Sequence, residues 1–389
     1  MANNQAPKVL IFSTAYFPLI GGAEVAVKEI TDRINGFEFD MITAKIKPDL
    51  VGCEKIGNVN VYRVGSGSNF DKYRLPFLGL KKAIQLEKEN QYKLTWSIMA
   101  SFGGFLGLRF KKKYPNKPWL LTLQEGDPPK EIEKKVGILK FWFCQIFKKA
   151  DYIQAISRFL SDWAIQMGAE KEKVKIVPNG VDTDKFKKID DQIINKLKQE
   201  LGIKDEKVIL TVSRLVKKNG IDDLIKAGQY LKFPFKILII GSGEKKKELK
   251  NLTKRLNLED RVIFLGQIDY NDLPKYYSMA DVFVRASLSE GFGNVFLEAF
   301  ACGTPIIGTR VGGITDFLAD PSEHAGQGTG LFCKVNDPQD IAKKIREILE
   351  DESLKKMLAK NGIKFISNIY QWDFIAKKME VFFLGKYEK

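Results

Sequence analysis

Two glutamates stand eight positions apart in Ser289-Glu290-Gly291-Phe292-Gly293-Asn294-Val295-Phe296-Leu297-Glu298-Ala299. On one continuous helix that offset would turn them about 80° from each other. Gly291 and Gly293 change the expectation: they break Glu290 away onto a loop and let a helix start near Asn294, with Glu298 one turn inside. The N–H groups of Gly293, Asn294 and Val295 then point out of a helix start that carries about +0.5 charge and suits phosphate or sugar oxygens. Ionised carboxylates accept hydrogen bonds strongly, which suits sugar and ribose hydroxyls. Two surface charges around an ordinary strand-to-helix turn meet the same spacing.

Other apolar runs end in residues of related chemistry. Val208–Ser213 ends at Arg214, with Lys217 and Lys218 close behind. The carboxyl ends of parallel strands open on the ligand crevice, so this arginine can clamp a diphosphate, although a cation paired with a surface carboxylate fits as well. Phe235–Ile240 ends in Gly241-Ser242-Gly243. That is no dinucleotide fingerprint, because Lys246 stands at the third glycine position, but Gly241 permits close backbone approach to a nucleotide. Near the start, Lys8–Ser13 leads to Gly21-Gly22-Ala23-Glu24 and a helix, a second phosphate-sized turn.

These residues need elements to hold them, and the apolar pattern supplies them. Strands are predicted over Lys8–Ser13, Phe37–Ala44, Val59–Val64, Leu94–Ile98, Trp119–Gln124, Tyr152–Ala155 and Val174–Val177. Helices are predicted between them over Glu24–Ile34, Leu78–Glu89, Phe102–Lys113, Gly137–Lys149 and Arg158–Met167. After a polar helical spacer at Asp190–Leu201 the alternation restarts, with strands Val208–Ser213, Phe235–Ile240, Val262–Leu265, Val282–Arg285 and Pro305–Gly308, a turn near Leu331–Cys333 and helices from Pro338 onward. Alternation of this kind predicts an α/β protein of two doubly wound, Rossmann-like domains facing across a ligand cleft. The 389 residues suit two such cores.

Composition excludes several other functions. The longest uncharged runs, Val9–Ala23 and Leu94–Leu108, have 15 residues each, too few to span a bilayer. Met1–Lys8 lacks the pattern of a secretory leader. His324 is the only histidine and the four cysteines lie far apart, so no zinc site or histidine-driven nucleophile is expected. The cysteines read as reduced, buried fillers of a cytoplasmic protein. Net charge is +15, and residues 1–190 carry 31 basic against 21 acidic side chains. Lys111–Lys113 form the densest run; Lys134, Lys135, Lys140, Lys148 and Lys149 flank apolar Ile138, Leu139, Phe141, Trp142, Phe143, Ile146 and Phe147. This reads either as a solvated face beside a core helix or as a basic aromatic surface that sits on anionic lipid at the inner face of the cell membrane. Acidic residues interleave and no nucleic-acid motif is found, so nucleic acid is not an expected partner.

Together these segments resemble the family 4 retaining glycosyltransferases of the GT-B architecture. Gly21-Gly22-Ala23-Glu24 looks like their N-terminal glycine loop, Ala155-Ile156-Ser157 and Val177-Pro178-Asn179-Gly180-Val181-Asp182 like their interdomain stretch, and Ser213-Arg214-Leu215-Val216 like their diphosphate loop. Glu290 to Glu298 matches their signature of two glutamates separated by seven residues, and Gly303-Thr304-Pro305 and Val311-Gly312-Gly313 follow in the expected places. The resemblance implies an acceptor-binding domain at 1–185, a nucleotide-sugar domain at 186–368 and a helix at 369–389 crossing back to the first. It implies a nucleotide-sugar donor, a glycan or lipid-linked saccharide acceptor, and front-face transfer that needs no metal and no cofactor. Arg214 and Lys218 would hold the diphosphate, Glu290 would contact the transferred sugar, and Glu298 the ribose. Backbone groups of Phe292, Gly293, Asn294 and Val295 would meet sugar and phosphate, Gly22 would approach the diphosphate and Ile268 the base.

The chain departs from the family pattern at three places. A lysine is usual five positions after the arginine; here that place is Asn219, and Lys218 precedes it as a stand-in. A histidine is usual after the strand Trp119–Gln124; here the chain reads Gln124-Glu125-Gly126-Asp127, in which Glu125 and Asp127 can bind acceptor hydroxyls or equally cap the next helix. The proline usual before Ser287 is Ala286. Two other functions fit the same donor chemistry, a sugar-nucleotide epimerase and a non-catalytic sugar-nucleotide sensor, the latter favoured by Asn219.

Overall fold

The computed structural model describes residues 6–323 and 327–385; His324 lies outside them. The chain divides into two compact units, Met1–Asn179 with Trp372–Lys389, and Gly180–Gln371.

The first unit is built on an eight-stranded sheet. Its strands are β1 (Lys8–Phe12), β2 (Glu38–Ala44), β3 (Cys53–Ile56), β4 (Val59–Val64), β5 (Leu94–Ile98), β6 (Trp119–Leu123), β7 (Tyr152–Ala155) and β8 (Val174–Ile176), in the order β3-β4-β2-β1-β5-β6-β7-β8. Only β3 runs antiparallel to its neighbour. The helices are α1 (Gly22–Arg33), α2 (Asp71–Asn90), α3 (Phe102–Lys113), α4 (Pro129–Val136), α5 (Lys140–Lys149) and α6 (Arg158–Gln166). Alternate residues of β1 serve opposite faces of the sheet, as the pleat requires: Val9 and Ile11 belong to one apolar cluster, Leu10 and Phe12 to another.

The second unit carries a parallel six-stranded sheet of β9 (Lys207–Val212), β10 (Phe235–Ile240), β11 (Val262–Gly266), β12 (Val282–Arg285), β13 (Ile306–Thr309) and β14 (Gly330–Cys333), in the order β11-β10-β9-β12-β13-β14. Its helices are α7 (Asp191–Glu200), α8 (Ile221–Ala227), α9 (Lys246–Arg255), α10 (Leu273–Met279), α11 (Asn294–Ala301), α12 (Pro338–Glu350) and α13 (Glu352–Ile369). The last helix, α14 (Trp372–Leu384), returns to the first unit. Its buried residues Trp372, Ile375, Ala376, Met379, Phe382 and Phe383 repeat at helical spacing, and the Phe383 ring meets those of Phe37, Phe39 and Trp96.

Five details differ from the sequence expectation. Leu331–Cys333, expected as a turn, belongs to β14 and pairs in parallel with β13. β3 and α4 were not foreseen: β3 is a short, half-polar edge strand, and α4 is a short, mostly charged helix that buries no residue. α2 starts at Asp71 rather than Leu78, with Pro76 inside it. The Asp71 carboxylate draws the preceding loop onto the helix start by accepting from the N–H groups of Ser66, Gly67 and Ser68 at 2.7, 2.9 and 3.0 Å. The cysteines are free, but only Cys302 and Cys333 are buried; Cys53 is exposed, because edge strand β3 leaves its side chains uncovered.

Candidate donor site on the second sheet

The second sheet changes winding direction between β9 and β12: the chain runs outward through β10 and β11 on one side and through β13 and β14 on the other. Loops leaving the carboxyl ends of strands at such a point diverge and open a crevice. The loop after β9 carries Arg214, Lys218 and Asn219; the loop after β12 carries Glu290.

Three glycines let these loops close on one another. At Gly220 (φ +61°) a Cβ would lie 1.8 Å from the Ala286 carbonyl oxygen; at Gly241 (φ +131°), 1.9 Å from that of Ser213; at Gly312 (φ +52°), 1.8 Å from that of Glu290. None of these places admits a side chain. Hydrogen bonds then stitch the loops together: Leu288 N–H donates to the Lys218 carbonyl at 2.7 Å, Leu215 N–H to that of Ser242 at 2.8 Å, and Gly313 N–H to that of Glu290 at 3.0 Å. The geometry therefore brings the Arg214 loop, Gly241 and the Glu290 loop into one cluster. Arg214 is exposed and Lys218 half-buried. Ile268 is not drawn in to the same degree; it follows β11, the edge strand two places from β9.

Gly293 takes the left-handed conformation (φ 93°, ψ 66°) and α11 begins at Asn294. Glu290 therefore precedes the helix on the loop and Glu298 lies one turn inside it. Phe292 turns its ring inward onto Phe317 and Tyr370, with centroids 5.4 and 6.0 Å away, leaving only its backbone to a ligand. Glu298 is buried and accepts the Tyr277 hydroxyl at 2.7 Å. Burial pushes its carboxyl up to about 7, against the opposing pull of Tyr277, Arg285 and Lys185.

The sequence reading missed Arg285. It closes β12, a strand of otherwise apolar residues, and is buried. Its guanidinium donates from Nε to Ser287 Oγ at 3.0 Å, from Nη1 to the Val212 carbonyl at 2.8 Å, and from Nη2 to Asn219 Oδ1 at 3.0 Å and Glu290 Oε2 at 2.8 Å. The signal was present, since a charged residue ends a fully buried strand at the edge where ligands bind.

In the first unit the switch lies between β1 and β5. Gly21 and Gly22 start α1 after β1, with Gly21 extended and both exposed. Glu125, after β6, is buried, and its carboxylate accepts from Ala100 N–H at 2.5 Å and Gln124 N–H at 2.9 Å. Burial raises its carboxyl to about 7. Asp127 forms an ion pair with Lys135 at 3.3 Å, and neither acid caps α4.

Residues 193–365 match the profile described as glycosyl transferases group 1, and residues 20–185 the profile described as glycosyltransferase family 4. The chain belongs to the family 4 glycosyltransferases. This glycosyltransferase is 27% identical to the N-acetyl-alpha-D-glucosaminyl L-malate synthase of Bacillus anthracis, over 97% of each chain. It is 32% identical, over 63% of each chain, to the N-acetylgalactosamine-N,N'-diacetylbacillosaminyl-diphospho-undecaprenol 4-alpha-N-acetylgalactosaminyltransferase of Campylobacter jejuni. The structure of Anabaena HepE in complex with UDP-glucose matches with a TM-score of 0.81 at 21% identity, covering 97% of this chain and 99% of that one, which fixes the fold as GT-B.

Proposed function

We propose that this glycosyltransferase moves a sugar from a UDP- or GDP-sugar to a glycan or lipid-linked saccharide, retaining the configuration at the transferred carbon and using no metal. The observation that carries the reading is the cluster at the switch point of the second sheet, where the Arg214 loop, Gly241 and the Glu290 loop are locked together. Arg214, Lys218 and the N–H groups at the start of α11 hold the diphosphate, on which negative charge builds as the sugar leaves; fixed donors stabilise that charge more than the ground state. Glu290 faces the sugar and Glu298 the ribose. The acceptor attacks from the face the diphosphate leaves, and the departing phosphate takes its proton. Glu125 and Asp127, both in the first unit, bind acceptor hydroxyls.

A panel of UDP-, GDP- and ADP-sugars with a lipid extract, read by mass spectrometry with and without EDTA, tests this reading. Transfer insensitive to EDTA, with the donor's anomeric configuration kept in the product, is the expected result. An isomerised donor, or binding without turnover, would overturn it. Arg214→Ala is expected to weaken both nucleoside diphosphate binding and transfer about tenfold, as befits loss of a charge-assisted contact. Calorimetry alongside the transfer assay checks this; retention of both would remove Arg214 from the site.

The lipid-linked acceptor is favoured by the surface of the first unit. Phe143, Ile146 and Phe147 point inward, whereas Ile138, Leu139, Phe141 and Trp142 are 94%, 46%, 67% and 47% exposed. Lys134, Lys135, Lys140, Lys148 and Lys149 are exposed beside them. Exposed aromatics ringed by lysine suit the interface of an anionic bilayer. Sedimentation with vesicles is expected to show salt-sensitive binding to anionic lipid, lost in the triple variant Ile138→Ser, Phe141→Ser, Trp142→Ser; equal partition into neutral and anionic vesicles would sink the idea.

A further inference from the structure

Arg285 is an expensive residue to keep. Taking a guanidinium out of water costs several kcal/mol unless good partners repay it. Its partners here are one carboxylate and three neutral oxygens: Glu290 at 2.8 Å, and Ser287, Val212 and Asn219 at 3.0, 2.8 and 3.0 Å. A guanidinium needed only to end a strand would be replaced at less cost by an apolar residue. What distinguishes the place is its position. Arg285 stands at the carboxyl end of β12, and its Nη2 reaches both loops of the candidate donor site. One of its contacts is Asn219, whose own Nδ2 donates to the Arg214 carbonyl at 2.6 Å. A continuous chain thus runs from the Arg214 backbone through the Asn219 amide and the Arg285 guanidinium to the Glu290 carboxylate.

Asn219 cannot carry charge. A lysine in its place would set an ammonium against the guanidinium, two cations sharing one carboxylate. The pair Asn219 and Arg285 is the alternative solution: a neutral amide at 219 and the cation at 285, aimed at the same point. We infer that Arg285 supplies a further, buried positive charge to the donor-diphosphate site beside those of Arg214 and Lys218, the charge that a lysine at position 219 would otherwise bring, and that Asn219 is the positioning residue that holds it there. This rests on the reading of residues 214–298 as the donor site. In a sheltered site a charge acts on a phosphate a few ångströms away far more strongly than in water, so direct contact is not required.

A double-mutant cycle tests the assignment. Wild type, Arg285→Leu, Asn219→Lys and the double variant Asn219→Lys/Arg285→Leu are titrated calorimetrically with UDP, GDP and ADP and with the matching monophosphates, with thermal melts to establish folding. Arg285→Leu is expected to lose at least tenfold in affinity for the diphosphate that wild type binds, and much less for its monophosphate, a contrast that a merely structural role would not give. Asn219→Lys alone is expected to bind more weakly or melt lower, and the double variant to return to within about threefold of wild type. Diphosphate affinity unchanged in Arg285→Leu, or a double variant no better than Arg285→Leu, would overturn the inference. If Arg285→Leu does not fold, Arg285→Lys is compared with Arg285→Gln: tighter diphosphate binding by the lysine variant is expected, and equal affinities would overturn it. Wild type binding none of the three diphosphates would instead bring down the donor-site reading itself, and this inference with it.

Discussion

Replacing Glu290 by glutamine is expected to lower sugar transfer roughly a hundred- to a thousand-fold while nucleoside diphosphate binding stays within a few-fold of wild type. As a glycosidic bond to the diphosphate breaks, positive charge develops on the sugar ring and negative charge on the phosphate. A carboxylate on the sugar side stabilises the first, and it acts on the transition state more than on the bound donor. Binding of free diphosphate does not engage it. The glutamine variant is the informative one because Glu290 is also the anionic partner of Arg285, at 2.8 Å. Glutamine keeps an oxygen to accept from Nη2 and removes only the charge. Glu290→Ala is expected to lose transfer at least as severely and to melt lower as well, since stripping one partner from a buried pair costs on the order of 3–5 kcal/mol. Transfer and melting temperature measured on both variants separate the two effects. A folded variant of either kind with unchanged transfer would falsify the assignment of Glu290 to the reaction.

The sequence carried the strand ends and the break between Glu290 and Glu298 because both rest on local rules. A buried parallel strand needs a short apolar run, and Gly293 permits the left-handed turn that starts α11 at Asn294. What it did not carry is long-range pairing. Asn219 and Arg285 lie 66 positions apart, and only the neighbouring of β9 and β12 makes their contact. Asn219 therefore read as the loss of a lysine, whereas the fold sets a cation against it. That Glu125 caps no helix and accepts from the Ala100 N–H, 25 positions away and delivered by the loop after β5, was likewise beyond local rules. The aromatic run Phe141–Phe147 left two readings open, a core helix beside a solvated face or an aromatic surface, and the fold divides it between them: helix periodicity sends Phe143 and Phe147 inward and leaves Phe141 and Trp142 outside.

Glu298 is expected to make both stability and nucleotide binding depend on pH, with opposite signs. Its carboxyl titrates at about 7 in the folded chain against 4.5 in an unperturbed one, and burial is the main cause. Between those values the unfolded chain gives up its proton first. The folded state therefore binds more protons, and unfolding free energy falls as pH rises from 4.5 to 7, then levels off. A difference of that size corresponds to on the order of 3 kcal/mol. Glu298→Gln keeps a neutral side chain of the same shape, so its stability relative to wild type should improve by about that amount between pH 4.5 and pH 8, as denaturant titrations at the two pH values would reveal. Glu125, raised to about 7 as well, adds a slope of the same sign in both proteins, so the comparison isolates Glu298. A ribose hydroxyl donating to Glu298 favours the ionised carboxylate and draws its pKa down. Nucleotide should then bind more tightly as pH rises from about 5.5 to 7.5 and release a proton on binding, seen as a calorimetric enthalpy that varies with the ionisation enthalpy of the buffer. Proton release should vanish in Glu298→Gln. It should move to higher pH in Tyr277→Phe, which removes a hydroxyl that stabilises the anion. If wild type binds nucleotide with neither proton release nor pH dependence, Glu298 is a buried structural acid and the ribose is read elsewhere; if both are present and disappear with glutamine, the carboxylate one turn inside α11 is what the nucleotide meets.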